Sequence, residues 1–153
     1  TELRMVKLNC HSLTRMLLVC RPFLGRGSRV INLASAAAFA PQPGFAIYAA
    51  SKSYVYRLSM AIREEWKPAE ISVTVVCPGP VDTEFFAHSG ELPGKSNKVT
   101  KVDPKAVVRK ALLDAVDHRC VSVYGTSMKV ARIAGKLLPD VLSAYLMRKL
   151  NGN

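Results

Sequence analysis

Negative charge is scarce in this chain. Asp and Glu number 11 against 22 Lys and Arg, so its 153 residues carry a formal net charge of +11. With a sequence pI near 9.8, anionic partners are favoured: phosphates, acidic membrane surfaces or nucleic acid. Aromatic residues are also few, at 7%. They are not interleaved with the basic ones, so no nucleic-acid module is expected. Cysteine pairs of the C-x-x-C kind are missing. Cys10, Cys20, Cys77 and Cys120 stand apart, and His11, His88 and His118 lack ligand-like spacing, so no structural metal is expected. The cysteines read as reduced packing residues of a cytoplasmic protein, with Cys77 a buried thiol among apolar neighbours. Long hydrophobic runs are lacking too: nothing approaches the roughly 18 consecutive apolar residues of a membrane span, and no secretory signal is apparent. What is there is 49% hydrophobic residues, too many for a disordered chain, in a length that suits one domain with a core.

Pro and Gly divide the chain into alternating segments. Residues 2–20 space their apolar positions at three and four (Leu13, Met16, Leu17, Cys20), which predicts a helix that stops at Arg21-Pro22. Gly25 to Ser28 form a loop. "RVINLAS", Arg29 to Ser35, is a short β-branched run that reads as a buried parallel strand. Pro41, Pro43 and Gly44 break the chain before a helix over 47–66, which Pro68 ends. "ISVTVVCPG", Ile71 to Gly79, is the clearest strand. Residues 80–102 are irregular, with a short helix expected near Glu84 to Ala87. Asp103 as N-cap and Pro104 in the first turn open a helix to about His118. Cys120 to Gly125 is a third strand, and residues 127–153 carry basic amphipathic helices broken at Pro139. Strands alternating with helices predict an α/β fold with helices on the faces of a parallel sheet. Three strands are thin for a doubly wound sheet, and a helix stands where such a fold has its first strand. The expectation is a partial Rossmann-type doubly wound sheet, the C-terminal part of the fold, in a single domain over residues 1–153.

One stretch carries chemistry. In "GFAIYAASKSY", Tyr48 and Lys52 stand four residues apart with only Ala49, Ala50 and Ser51 between them. On a helix they share a face. A free phenol has a pKa of about 10, and a cation held beside it favours phenolate, so the pair can act as a general acid or base. A carbonyl being reduced needs a second hydrogen-bond donor on its oxygen. Ser35, at the end of the preceding strand, is placed to supply it, because strand ends in open α/β sheets face the ligand crevice.

"INLAS" with Ser35, "YAASK" thirteen residues later, and "VCPGPVDTEF" after the next strand together resemble the short-chain dehydrogenase/reductase family. The resemblance spans roughly residues 1–125. It implies a nicotinamide-dependent carbonyl reductase with a tetrad of Asn9, Ser35, Tyr48 and Lys52. Tyr48 would pass the proton at the substrate oxygen, Lys52 would lower the tyrosine's pKa and hold the nicotinamide ribose, Ser35 would hold the substrate oxygen, and Asn9 would keep a water relay to Lys52. Pro78, Gly79, Val81 and Thr83 would contact the cofactor, NAD(P)H, and the segment 84–102 would be a substrate lid. The helices around Asn9 and from Tyr54 to Trp66 would form a subunit interface in a homo-oligomer. Ser51 and Ser53 read as packing or helix-surface residues.

The family's opening strand and its T-G-x-x-x-G-x-G turn, which binds the pyrophosphate at a helix N-terminus, are not found, nor is its later N-N-A-G. "GRGS" precedes a strand instead of following one and fails as a dinucleotide fingerprint. The chain is therefore expected to be a C-terminal fragment that binds NAD(P)H poorly and aggregates at exposed strand flanks. The rival reading is a non-catalytic Rossmann scaffold, membrane-peripheral through residues 127–153. There Lys129, Arg132, Lys136, Arg148 and Lys149 alternate with apolar residues, as in helices that lie on anionic membranes. The plainer reading of this tail is a pair of helices packed on the domain with their charges solvated.

Overall fold

The computed structural model describes residues 2–82 and 102–151. Three strands run parallel in the order β1 (Arg29–Leu33), β2 (Ser72–Val76), β3 (Val121–Ser122). The first helical stretch runs from α1 (Glu2–Val6) through a π-helical turn (Lys7–Ser12) into α2 (Leu13–Cys20). A short 3-10 turn (Ala36–Phe39) and α3 (Ala46–Trp66) lie between β1 and β2. Helix α4 (Pro104–Val116) leads to β3, and α5 (Thr126–Leu137) and α6 (Asp140–Leu150) follow.

β2 is central and covered on both faces; its buried Thr74 hydroxyl is satisfied by donating to Arg119 O. Val73, Val75 and Cys77 point to one side, where α2 and α3 bring Leu17, Val55, Tyr56, Ile62 and Trp66. Val76 points to the other, where α4 brings Val107 and Ala111. The expected layering, with helices on both faces of a parallel sheet, is therefore present. α3 is helical over 21 residues because its buried positions, among them Ala49, Val55, Ser59, Ile62 and Trp66, fall on one stripe. Asp103 caps α4 as expected, its side chain accepting from the Lys105 N–H, with Pro104 in the first turn.

The strands are shorter than the apolar runs that announce them. β2 ends at Val76 and not at Gly79, because Pro78 has no N–H for a ladder. β3 keeps two residues, although Val123 beyond it is buried. The predicted single helix over 2–20 is present but widened at Lys7–Ser12. Such a turn loosens carbonyls from the regular ladder. Here the Ser12 hydroxyl donates to Lys7 O and the Thr14 hydroxyl to Cys10 O. "GRGS" is a tight turn, with Gly27 at φ 82° and its N–H on Glu70 O.

Candidate active site

β1 and β2 end side by side, and the chain beyond each stays paired. Ala34 N–H donates to Val76 O and Ala36 N–H to Pro78 O, both at 2.8 Å. Ser35 thus lies against Cys77, Pro78 and Gly79 at the carboxyl ends of the strands, where open α/β sheets bind ligands. Its backbone is extended, and its Oγ accepts from Ala37 N–H at 3.2 Å, capping the 3-10 turn. Among the described residues nothing accepts its hydroxyl hydrogen, which is left to be donated.

Tyr48 and Lys52 share a face of α3, one turn apart. The Lys52 ammonium lies 5.8 Å from the centre of the Tyr48 ring, and the ring meets Phe45 edge-on at 6.5 Å. The ammonium donates to Leu33 O at 3.1 Å, so it is anchored on the end of β1, two residues before Ser35. Burial pushes Lys52 below the usual lysine value, and the neighbouring Cys10 and Cys77 act against that shift. Ser53 adds a tie between α3 and the 3-10 turn that follows β1, donating to Ala38 O at 3.2 Å.

Asn9 reaches the same helix by another route. Its Nδ2 donates to Ser51 Oγ at 3.0 Å, and Ser51 Oγ donates to Tyr48 O at 2.8 Å. The π-helical turn turns Asn9 toward α3. Ser51 is buried, as its reading as a packing residue implies, but it is also the link between Asn9 and the backbone of Tyr48. Its place three residues after Tyr48, where a serine can bond the i−3 carbonyl, was the available signal; its burial was not.

The tail contributes two residues that the sequence pattern did not mark. Met128 of α5 lies on Gly79, where an added Cβ would come 2.7 Å from its Sδ. Arg132, one turn on, has its Nε buried with no hydrogen-bond partner. Burial pushes the Cys77 thiol up to about 12, against the opposing charges of Arg132 and Lys52. Val81 pairs with Val102 in a parallel bridge. Thr83, the helix expected at Glu84 to Ala87 and the rest of the expected lid lie outside the described residues. Among the described residues, no cluster of His, Cys, Asp and Glu could hold a metal, and no helix is long and apolar enough to cross a membrane.

A parallel α/β sheet with a serine at one strand end, and a Tyr-x-x-x-Lys helix laid against it, defines a Rossmann-type fold with a polar site at the strand ends. The chain belongs to the short chain dehydrogenase family, whose model matches residues 3–92. It is 36% identical over 87 residues to the "NADPH-dependent aldehyde reductase-like protein, chloroplastic" of Arabidopsis thaliana, covering 57% of this chain and 32% of that one. It is 36% identical over 66 residues to "Probable oxidoreductase EphD" of Mycobacterium tuberculosis, covering 43% of this chain and 11% of that one. Among solved structures, a short chain dehydrogenase from Burkholderia cenocepacia in complex with NADP superposes with a TM-score of 0.75 at 23% identity, over 93% of this chain and 57% of that one. One from Sphingobium yanoikuyae in complex with NADPH gives 0.70 at 25%, over 86% and 52%. The chain thus spans about half of these solved structures, and its matches cover a third or less of the two curated relatives.

Proposed function

We propose that this chain carries the catalytic residues of an NAD(P)-dependent carbonyl reductase, acting reversibly between a small carbonyl compound and its alcohol. The observation that carries the reading is the Lys52–Leu33 hydrogen bond, which holds the Tyr-x-x-x-Lys helix against the strand end that bears Ser35. The nicotinamide cofactor supplies the hydride. Tyr48 gives or takes the proton at the substrate oxygen, and Ser35, with its hydroxyl hydrogen unspent, holds that oxygen. Lys52 supplies the positive charge that favours a phenolate at Tyr48. Its donor set fits a ribose: an ammonium has three N–H groups, and Leu33 O takes one. Asn9, fastened to Ser51, sets the position of α3 and keeps a water path to Lys52. Pro78, Gly79, Val81 and Thr83 border the cofactor. The outward faces of α2 and α3 form the contact of a homo-oligomer.

The test is Tyr48→Phe in the complete reductase, read as nicotinamide oxidation over a panel of aldehydes and ketones. The expected loss of kcat is about 10²- to 10⁴-fold, with circular dichroism and cofactor affinity unchanged. Unaltered turnover would remove Tyr48 from the mechanism. A complete protein that binds cofactor yet turns over no carbonyl or alcohol would favour the non-catalytic scaffold.

A further inference from the structure

Helices α5 and α6 meet the domain through Met128, Gly135, Ser143 and the Asn151 that follows them, and turn most of their other large apolar residues outward. Gly135 of α5 sits against the carbonyl of Phe39, where a Cβ would have no room. Asn151, just after α6, donates to Pro43 O at 2.9 Å, and Ser143 is buried. Both helices are thus pinned to the segment 39–43. On the side away from it, Val130, Ile133 and Leu137 of α5 are 65%, 59% and 77% exposed, and Val141, Leu142 and Tyr145 of α6 are 84%, 44% and 54% exposed. An amphipathic helix normally buries its apolar stripe against the domain. These two present it to whatever lies outside.

The charges say what that is. Residues 126–151 hold a single acid, Asp140, and while Arg132 turns its Nε into the domain, Lys129, Lys136, Arg148 and Lys149 are exposed. Lys129 and Lys136 are exposed on the same face of α5 as Ile133 and Leu137, and the Lys149 ammonium lies 4.8 Å from the centre of the exposed Tyr145 ring. A second copy set face to face on this surface would bring like charges together, which opposes association. Apolar side chains that enter an acyl boundary, flanked by cations whose long stems reach the headgroups, suit an anionic bilayer. We propose that the outward face of α5 and α6 docks on an anionic membrane surface, lying on it without spanning it. Since Met128 of α5 covers Gly79, docking would set the strand-end crevice beside the lipid. The inference does not depend on the reductase reading.

Vesicle flotation tests it, because floated vesicles separate bound protein from aggregates that sink. The chain is mixed with phosphatidylcholine vesicles, either pure or with about a quarter phosphatidylserine. It should float with the serine-containing vesicles only, and less so as salt is raised. Lys129→Glu with Lys136→Glu should lower the bound fraction by roughly tenfold or more. Ile133→Ser with Leu137→Ser should abolish floating while leaving circular dichroism unchanged. Equal floating with pure phosphatidylcholine, or none with either vesicle, overturns the proposal. So does a dimer in sedimentation velocity that Ile133→Ser dissociates while vesicles are ignored.

Discussion

Lys52 joins a helix to a strand with one ammonium group, and the same burial that places it raises the thiol beside it. The Cys77 thiol is pushed from an ordinary 9.0 up to about 12 by burial. Between those values the folded chain keeps a proton that the unfolded chain releases, so stability falls as pH rises through that window, by about 1.4 kcal/mol per unit. Lys52 acts in the opposite sense. Its folded value is lowered by burial, so the unfolded chain holds the extra proton and stability rises with pH toward 10.5. Urea unfolding of the chain and of Cys77→Ala from pH 8 upward isolates the thiol. The variant, weaker by the lost packing, should lose stability less steeply above pH 9; parallel slopes would contradict the assignment. At this scale the sequence told which residue types could do the chemistry, since Ser35, Tyr48 and Lys52 stand in a readable pattern. It did not tell that Lys52 would bond Leu33 O or that Asn9 would bond Ser51, because those partners lie 19 and 42 residues away.

Elements follow local rules until a contact overrides them. α3 and α4 begin and end near where periodicity, the Asp103 cap and proline put them. The π-helical turn at Lys7–Ser12 is different: nothing in the spacing of apolar residues demands it, and only the presence of α3 shows why Asn9 is turned inward. α5 is similar. Its helix is written in its sequence, but its orientation depends on Gly135 meeting the Phe39 carbonyl. A methyl there faces backbone, which cannot swing aside. Gly135→Ala should therefore destabilise the contact by roughly 1–3 kcal/mol, despite alanine's better helix propensity. Limited proteolysis should cut between residues 125 and 140 faster in this variant; an unchanged cleavage rate would mean that α5 is held elsewhere.

At the scale of the whole molecule, the flank of the sheet beside β1 is poorly covered. Among the described residues no strand pairs with the outer edge of β1, and Ile31 and Leu33 are 40% and 61% exposed on the side facing away from α3. An edge strand with exposed apolar residues templates pairing with other chains. The chain alone should self-associate in sedimentation velocity at micromolar concentration, and Ile31→Lys should reduce this strongly, since a charge on an edge opposes pairing. Association untouched by Ile31→Lys but abolished by Ile133→Ser would place the sticky surface on α5. The net charge of +11 works against association in general, so what remains is directed by these apolar patches.

The sequence by itself determined the class of fold and marked the candidate site residues. Alternating β-branched and helical segments leave few alternatives to a parallel layered sheet, and Ser35, Tyr48, Lys52 and the Pro78-Gly79 pair repeat a family pattern at fixed spacing. Tertiary structure alone decided which surfaces those segments turn inward. A hydrophobic period shows that a helix has two faces but not which face meets the domain; that depends on the shape it meets. The segment 39–43 takes Gly135 of α5 and the Asn151 that follows α6, because it offers close backbone and a carbonyl acceptor, while Val130, Ile133, Leu137, Val141 and Tyr145 are left outside.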